Sequence, residues 1–246
     1  MKIEIWSDIV CPFCYIGKKR LMQALANFPQ RDDVELVWKS YQLDPSIDPE
    51  REATPTLTYL ATNKGMPLKQ VQDMTQHITA LGAPLGIVFN WEQALVANTE
   101  KAHRLIQYAA TQQRADALKE ALLKAHFTLG INVNDTESLV ALAQAEGLDA
   151  QAVREVLNSD QFAYEVKQDI QDGLNLGLKG VPFFVFDNAF GISGAQPLEV
   201  FENTLNQAYE ASLATAAKEK SNTAQTATEA APAAADSCNM DTGKCQ

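Results

Sequence analysis

The residues of this chain best equipped for chemistry are Cys11 and Cys14, which frame the run Cys11-Pro12-Phe13-Cys14. Disulfide exchange proceeds by attack of a thiolate on sulfur. A working pair therefore needs one accessible thiol of lowered pKa and a second close enough to resolve the mixed disulfide. A helix beginning at this motif meets both demands. Its free N–H groups and positive end favour a Cys11 thiolate, and the three-residue step places Cys14 in the first turn. Pro12 suits the first helical position, where its missing N–H has no intrahelical partner. This reading makes Cys11 the nucleophile and Cys14 the resolving thiol. Two blander readings compete with it: half of a zinc site, which needs two more ligands, or a pair of structural buried cysteines. No HExxH and no histidine pair at metal spacing occurs, so neither metal nor cofactor is expected.

The elements that must position this motif flank it. Lys2 to Trp6 alternates polar and apolar residues, predicting a strand that runs into the CPFC turn. Leu21, Met22, Leu25 and Phe28 recur at helical spacing before Pro29, and Val34 to Trp38 is a second strand, stopped by Asp44-Pro45 and Asp48-Pro49. From about residue 50 to 177 the pattern is almost wholly helical, bent around Gly82, Pro84 and Gly86. Ala102, Leu105, Ile106 and Ala109 form one stripe, and Leu118, Ala121, Leu122, Ala125 and Leu129 another. Asp135-Thr136 begins a helix that Gly147 closes, and Phe162, Val166, Ile170 and Leu174 step along a last one. The period then changes. Val181 to Phe186 is a dense apolar run, a buried strand headed by proline, with Ile192 in a short edge strand. Pro197 opens a closing helix to about Ala211, with Val200, Leu205 and Ala208 as its apolar contacts. Strands at both ends enclosing helices predict an α/β fold with one sheet interrupted by a large all-helical insertion.

Composition narrows the function classes. Apolar residues make up 46% of the 246 positions and no run approaches eighteen of them, so no spanning helix is expected. The 20 basic against 31 acidic residues leave a net charge of −11, which argues against a broad basic face for nucleic acid or anionic membranes. No apolar leader follows Met1, and the four cysteines fall into two local pairs rather than a disulfide framework; both features predict a cytoplasmic protein.

Four motifs carry a family resemblance: Ser7-Asp8-Ile9-Val10-Cys11-Pro12-Phe13-Cys14-Tyr15-Ile16-Gly17-Lys18, Asn98-Thr99 with Ala102-His103-Arg104-Leu105, Gly180-Val181-Pro182-Phe183-Phe184, and Ser193-Gly194-Ala195-Gln196-Pro197. In this order, over about residues 2–211, they resemble the FrnE-like branch of the DsbA family in the thioredoxin superfamily. The resemblance implies a thioredoxin fold in two parts, residues 1–49 and 178–211, around an inserted helical subdomain at 50–177. It also implies exchange with protein thiols and disulfides, with glutathione or thioredoxin as candidate redox partners. A cis-proline at Pro182 would face the thiols, so that Pro12, Phe13, Val181 and Pro182 contact substrate. Phe13 departs from the histidine that periplasmic members carry inside the motif, which removes a charge that would stabilise the thiolate and make a strong oxidant.

Other polar residues near the motif have bland readings. Lys18 is expected on the solvated surface, His103 in helix packing or hydrogen bonding, and Asp8 either as a strand-end turn residue or as a proton relay to Cys14. Residues 212–246 are poor in large apolar side chains and read as a flexible tail. Its Cys238 and Cys245 are a candidate auxiliary redox pair. A coil of about thirty residues reaches on the order of 30 Å, enough to meet Cys11, while a functionless disulfide or a soft-metal chelator are the alternatives. Two other functions stand beside dithiol exchange. One is a glutathione-dependent isomerase or transferase of the 2-hydroxychromene-2-carboxylate isomerase or kappa-class type, whose members usually place serine at Cys11. The other is a holdase with an apolar groove around Phe13 and Phe183.

Overall fold

The computed structural model describes residues 1–229, and their side chains as far as Thr215. Two compact units are distinguished, Met1–Ala208 and the chain from Tyr209 onward. In the first, β1 (Lys2–Ser7) leads into α1 (Pro12–Ala26), followed by β2 (Glu35–Ser40). A two-residue strand β3 (Thr54–Pro55), α2 (Thr56–Thr62), α3 (Leu68–Gly82) and the short β4 (Leu95–Val96) come next. The helices α4 (Glu100–Thr111), α5 (Ala115–Phe127), α6 (Thr136–Ala145), α7 (Ala150–Leu157) and α8 (Ala163–Asn175) precede β5 (Phe183–Phe186), β6 (Phe190–Ser193) and α9 (Leu198–Glu229).

The strands from the two ends of the chain form one sheet of order β2-β1-β5-β6, with β1 parallel to β2 and antiparallel to β5. The parallel β1–β2 pair requires a crossover, which α1 supplies. Register sets which residues share a face: Ile5 opposes Phe184 and Ile3 opposes Phe186, all fully buried. Phe184 packs edge-on against Phe201 of α9, their ring centroids 4.9 Å apart. The opposite face carries Trp6, Phe183 and Val185, packed with Leu178 after α8.

Three departures from the expected pattern have identifiable causes. In α8 the buried positions are Val166, Asp169 and Gly173, whereas Leu174 is exposed. Asp169 is buried because its carboxylate accepts from Ser40 N–H at 2.8 Å, Lys39 Nζ at 2.8 Å and Gln107 Nε2 at 2.5 Å, while its carbonyl accepts from Trp6 Nε1 at 2.7 Å. Four partners outweigh the apolar stripe that sequence spacing favours. In α9 Phe201 rather than Val200 takes the buried place, with Leu205 and Ala208 buried as expected. Finally, α9 does not stop near Ala211 but continues to Glu229, through a stretch in which alanine, the strongest helix former, recurs. A random-coil length therefore no longer measures the tether from residue 212, and Cys238 and Cys245 lie outside the described residues.

Gly173 gives a test of this packing. A Cβ added there would lie 2.9 Å from Trp6 Nε1 and 3.0 Å from its Cδ1. In an open helix Gly→Ala stabilises by up to about 1 kcal/mol. Here Gly173→Ala should instead cost about 1–3 kcal/mol in urea denaturation, because the buried indole is tied to the Asp169 carbonyl. An unchanged or raised midpoint would mean that Trp6 has room to move.

Candidate active site

Cys11 caps α1 in extended backbone geometry, and Pro12 follows at the first helical position. The Cys11 carbonyl accepts from Cys14 N–H at 3.1 Å and Tyr15 N–H at 3.3 Å, so Cys14 occupies the first turn below Cys11. Both are free thiols. The Cys11 thiol donates to the Val181 carbonyl at 3.6 Å. The Val181–Pro182 bond is cis. Gly17, one turn beyond Cys14, has no side chain where one would meet Pro182 Cγ at 3.0 Å and Phe184 Cζ at 3.1 Å, so α1 lies directly against the 181–184 segment.

Four separated stretches are thus tied together around α1. Gly194 N–H donates to the Pro182 carbonyl at 2.8 Å, and Arg20 of α1 donates to the carbonyls of Ala195 at 2.5 Å and Gln196 at 3.1 Å. His103 Nε2 lies 3.2 Å from the Asp8 carboxylate, which also accepts from Ile9 N–H at 2.7 Å and Leu43 N–H at 2.8 Å. Arg104 donates to the carbonyls of Gln161, Val156 and Ser159 at the end of α7, a structural cap rather than a site contact.

The electrostatics differ from the expectation at three points. Both thiols are nearly out of water, Cys11 4% and Cys14 1% exposed. Cys11 is pushed well above the ordinary thiol range by its hydrogen bond with Cys14, by burial, and by repulsion from charge on Cys14. The helix start does not overcome these effects in the dithiol state. Lys18 is not a surface group: it is 3% exposed, 3.1 Å from both Asp116 and Glu120, which neutralise it. The cation that does face the thiols is Lys119, a residue that sequence reasoning missed. It is fully buried, bonds the Ser7 carbonyl at 3.3 Å, and lies 5.5 Å from the Trp38 ring centre. Burial brings its pKa down to about 8, against the attraction of Cys14, Asp8 and Cys11. The available signal was helical: Lys119 and His126 sit seven residues apart on the Leu122–Leu123 side of α5, where charge is out of place.

Burial by itself would raise the Asp8 carboxyl, but the hydrogen bond and charge of His103, the Leu43 N–H and Lys119 hold it below the usual range. For His103 burial dominates and lowers its pKa against the pull of Asp8. The consistent state at neutral pH is an Asp8 carboxylate accepting from neutral His103. His126, buried against Phe127, is lowered to about 4 by the same loss of water. His77 is exposed and away from the site. Among the described residues no group of three potential metal ligands is formed.

Phe13 projects outward, 39% exposed, while Cys11, Pro12, Phe13 and Val181 border a cavity of about 340 Å³ whose far wall comes from α2, α3 and the segment around β4. Phe183 is not part of this lining; it packs beside Trp6 on the other face of the sheet, so Phe13 and Phe183 do not share this cavity.

Residues 2–206 match the family model of the DSBA-like thioredoxin domain. The chain belongs to that family. A crystal structure of a probable DsbA oxidoreductase from Streptomyces coelicolor is 43% identical, with a TM-score of 0.81 over 85% of this chain and 90% of that one. The uncharacterized protein YwbO of Bacillus subtilis (strain 168) is 25% identical over 206 residues, 83% of this chain and 95% of its own. The fold is shared more distantly by a 2-hydroxychromene-2-carboxylate isomerase, 18% identical with a TM-score of 0.62 over 87% of this chain and 99% of that one. For this DSBA-like chain the motif order in the sequence and the spatial convergence of the same stretches agree.

Lys119 supplies a measurable signature. Its folded pKa near 8 lies below the unfolded 10.5, so the folded protein releases this proton first. Below pH 8 keeping the ammonium buried costs on the order of 3 kcal/mol, and that cost fades as pH rises to about 10.5. With the CPFC pair oxidised, which stops the thiols titrating and removes the attraction by which they raise Lys119, wild type should therefore gain stability relative to Lys119→Met from below pH 8 up to about 10.5. A pH-independent difference would place Lys119 in water.

Proposed function

We propose that this protein is a thiol–disulfide oxidoreductase that exchanges disulfides with protein substrates, Cys11 acting as nucleophile and Cys14 as resolving thiol. The observation that carries the reading is the placement of the Cys11 sulfur: at the start of α1, one turn from Cys14, 3.6 Å from the Val181 carbonyl and on the border of an open cavity. Family membership and the oxidoreductase name of the 43% identical relative support it.

In the reducing direction the Cys11 thiolate attacks one sulfur of a substrate disulfide. The substrate S–S bond breaks, its second sulfur leaves as a thiolate and takes up a proton, and a Cys11–substrate disulfide remains. Cys14, deprotonated in turn, attacks the Cys11 sulfur and releases the second substrate thiol. Lys119 is the buried ammonium that favours charge on the pair, and the Asp8 carboxylate, bonded to His103, helps to hold its proton through space. Phe13 adds no positive charge, so the reduced form lacks the stabilisation that makes a strong oxidant. A cytoplasmic setting with glutathione or thioredoxin recycling the pair fits that poise. The isomerase reading has only the shared fold behind it, and the chain keeps cysteine at both motif positions.

Cys11→Ser should abolish insulin reduction, and Cys14→Ser should lower it by roughly a hundredfold or more while accumulating a substrate-linked disulfide on non-reducing gels. Full turnover by Cys11→Ser would falsify this assignment.

A further inference from the structure

Once a substrate is joined to Cys11 its release falls to Cys14, and the two thiols have different surroundings. Cys11 borders the open cavity and donates to the Val181 carbonyl at 3.6 Å. Cys14 is not on the cavity lining, is 1% exposed, and belongs to α1, which packs against α5. No solvent stabilises a charge there, so a resolving thiolate needs a counter-charge from the protein itself.

The basic groups around the pair differ in what they have left to give. Lys18 is held 3.1 Å from both Asp116 and Glu120, Lys19 is paired with Glu120, and Arg20 is committed to the Ala195 and Gln196 carbonyls. His103 is neutral and bonded to Asp8, and His126, also neutral, lies two turns beyond Lys119 on α5. Asp8 is not free to take a proton, because its oxygens already accept from Ile9 N–H, Leu43 N–H and His103. Lys119 is the group with its charge unused: its Nζ meets the Ser7 carbonyl of β1 at 3.3 Å and the Trp38 ring of β2 at 5.5 Å, with no carboxylate in ion-pair contact. Of the charges that attract it, Cys14 acts most strongly, ahead of Asp8 and Cys11, which sets it on the Cys14 side of the pair.

Resting on the dithiol reading above, we infer that Lys119 is a positioning residue for the resolving step: its ammonium is the counter-charge beside which the Cys14 thiolate forms, and it thereby sets the lifetime of the disulfide between Cys11 and substrate. After Cys11 has attacked, the Cys14–Lys119 couple gives up one proton to solvent, and the proton that remains sits on nitrogen rather than on sulfur. The Cys14 thiolate attacks the Cys11 sulfur, the Cys11–substrate S–S bond breaks, and the substrate sulfur leaves as a thiolate that takes up a proton. Both electrons gained by the substrate come from the CPFC dithiol. A residue of the helical insertion, outside the motif, thus governs whether the protein completes dithiol exchange or stays linked to its substrate.

The test uses the full chain carrying Cys238→Ser and Cys245→Ser, so that only the CPFC pair reports, mixed with excess dithiobis(nitrobenzoate). The first release of nitrothiobenzoate scales with reagent concentration and reports Cys11; the second does not, and reports Cys14. In this parent protein the second rate should rise with pH and level off by about pH 8. An opposite charge nearby shifts the titration of an acid by about one to three units. In Lys119→Met the second rate at about pH 7 should therefore fall roughly tenfold or more and its half-maximal pH rise by about one unit or more. The first rate should change by less than about threefold, because Cys11 feels the ammonium less. Lys119→Arg, which keeps the charge, should hold the second rate within about threefold of the parent. A second rate unchanged in Lys119→Met, a first rate slowed as much as the second, or an arginine variant as slow as the methionine one would each overturn the inference. So would a parent second rate that is flat from about pH 6 to 9 or still climbing above about pH 9, results that need no lysine variant to fold. If the parent lacks the reagent-dependent first phase, or keeps it in Cys11→Ser, the dithiol reading itself fails and this inference with it.

Discussion

The arrangement depends on one buried carboxylate. Asp8 lies at the end of β1, 1% exposed, where an unpaired charge would cost more than any single contact nearby returns. Its two oxygens are satisfied by Ile9 N–H in its own turn, Leu43 N–H in the segment after β2, and His103 in α4. These three donors come from three parts of the chain, and satisfying Asp8 therefore fixes the strand end, the following loop and the helical insertion against one another. Cys11 N–H donates to the Asp8 carbonyl at 3.4 Å, so the start of α1 inherits that fixed position.

Around this anchor the charges sort by whether they can act on sulfur. Lys18 is close in sequence, but Asp116 and Glu120 absorb its charge and use it to tie α1 to α5. Lys119 is remote in sequence, yet its ammonium is buried beside the thiols with only a carbonyl and an aromatic face as neutral partners. A charge surrounded by weak partners retains its field, whereas a charge in a strong ion pair spends it locally. The insertion thus contributes the electrostatics of the dithiol as well as the wall of the cavity.

The reach of sequence reasoning follows the range of the interactions involved. The CPFC helix, the strand before it, the Asp135 cap and the proline-headed strand are local patterns, and all four are found where spacing places them. That strands from the two ends of the chain share one sheet is legible because they enclose a helical stretch; that β1 pairs with β5 is not. What local pattern could not supply was partner identity. Lys18 and Lys119 carry the same side chain on amphipathic helices, and only the tertiary neighbours decide which is neutralised. Likewise Asp169 outcompetes Leu174 for the buried face of α8 because Lys39, Ser40 and Gln107, none of them nearby in sequence, meet it there. The extension of α9 to Glu229 has no apolar stripe to announce it; recurrent alanine is its local signal.

The low exposure of Cys11 and the cavity beside it act on the same sulfur. The Val181 segment and Cys14 cover the sulfur on one side, which raises the free-energy cost of the thiolate and makes the resting dithiol less reactive, while α2, α3 and the β4 segment wall the space on the other. That space gives a correctly shaped substrate a place to bind before it reacts. Binding can then offset part of the cost of forming the thiolate, provided the contacts strengthen as the S–S bond breaks. Reactivity is thereby shifted from the thiol itself to the complex. A dithiol built in this way discriminates among disulfides by what is attached to sulfur, whereas a fully exposed one discriminates chiefly by leaving-group acidity.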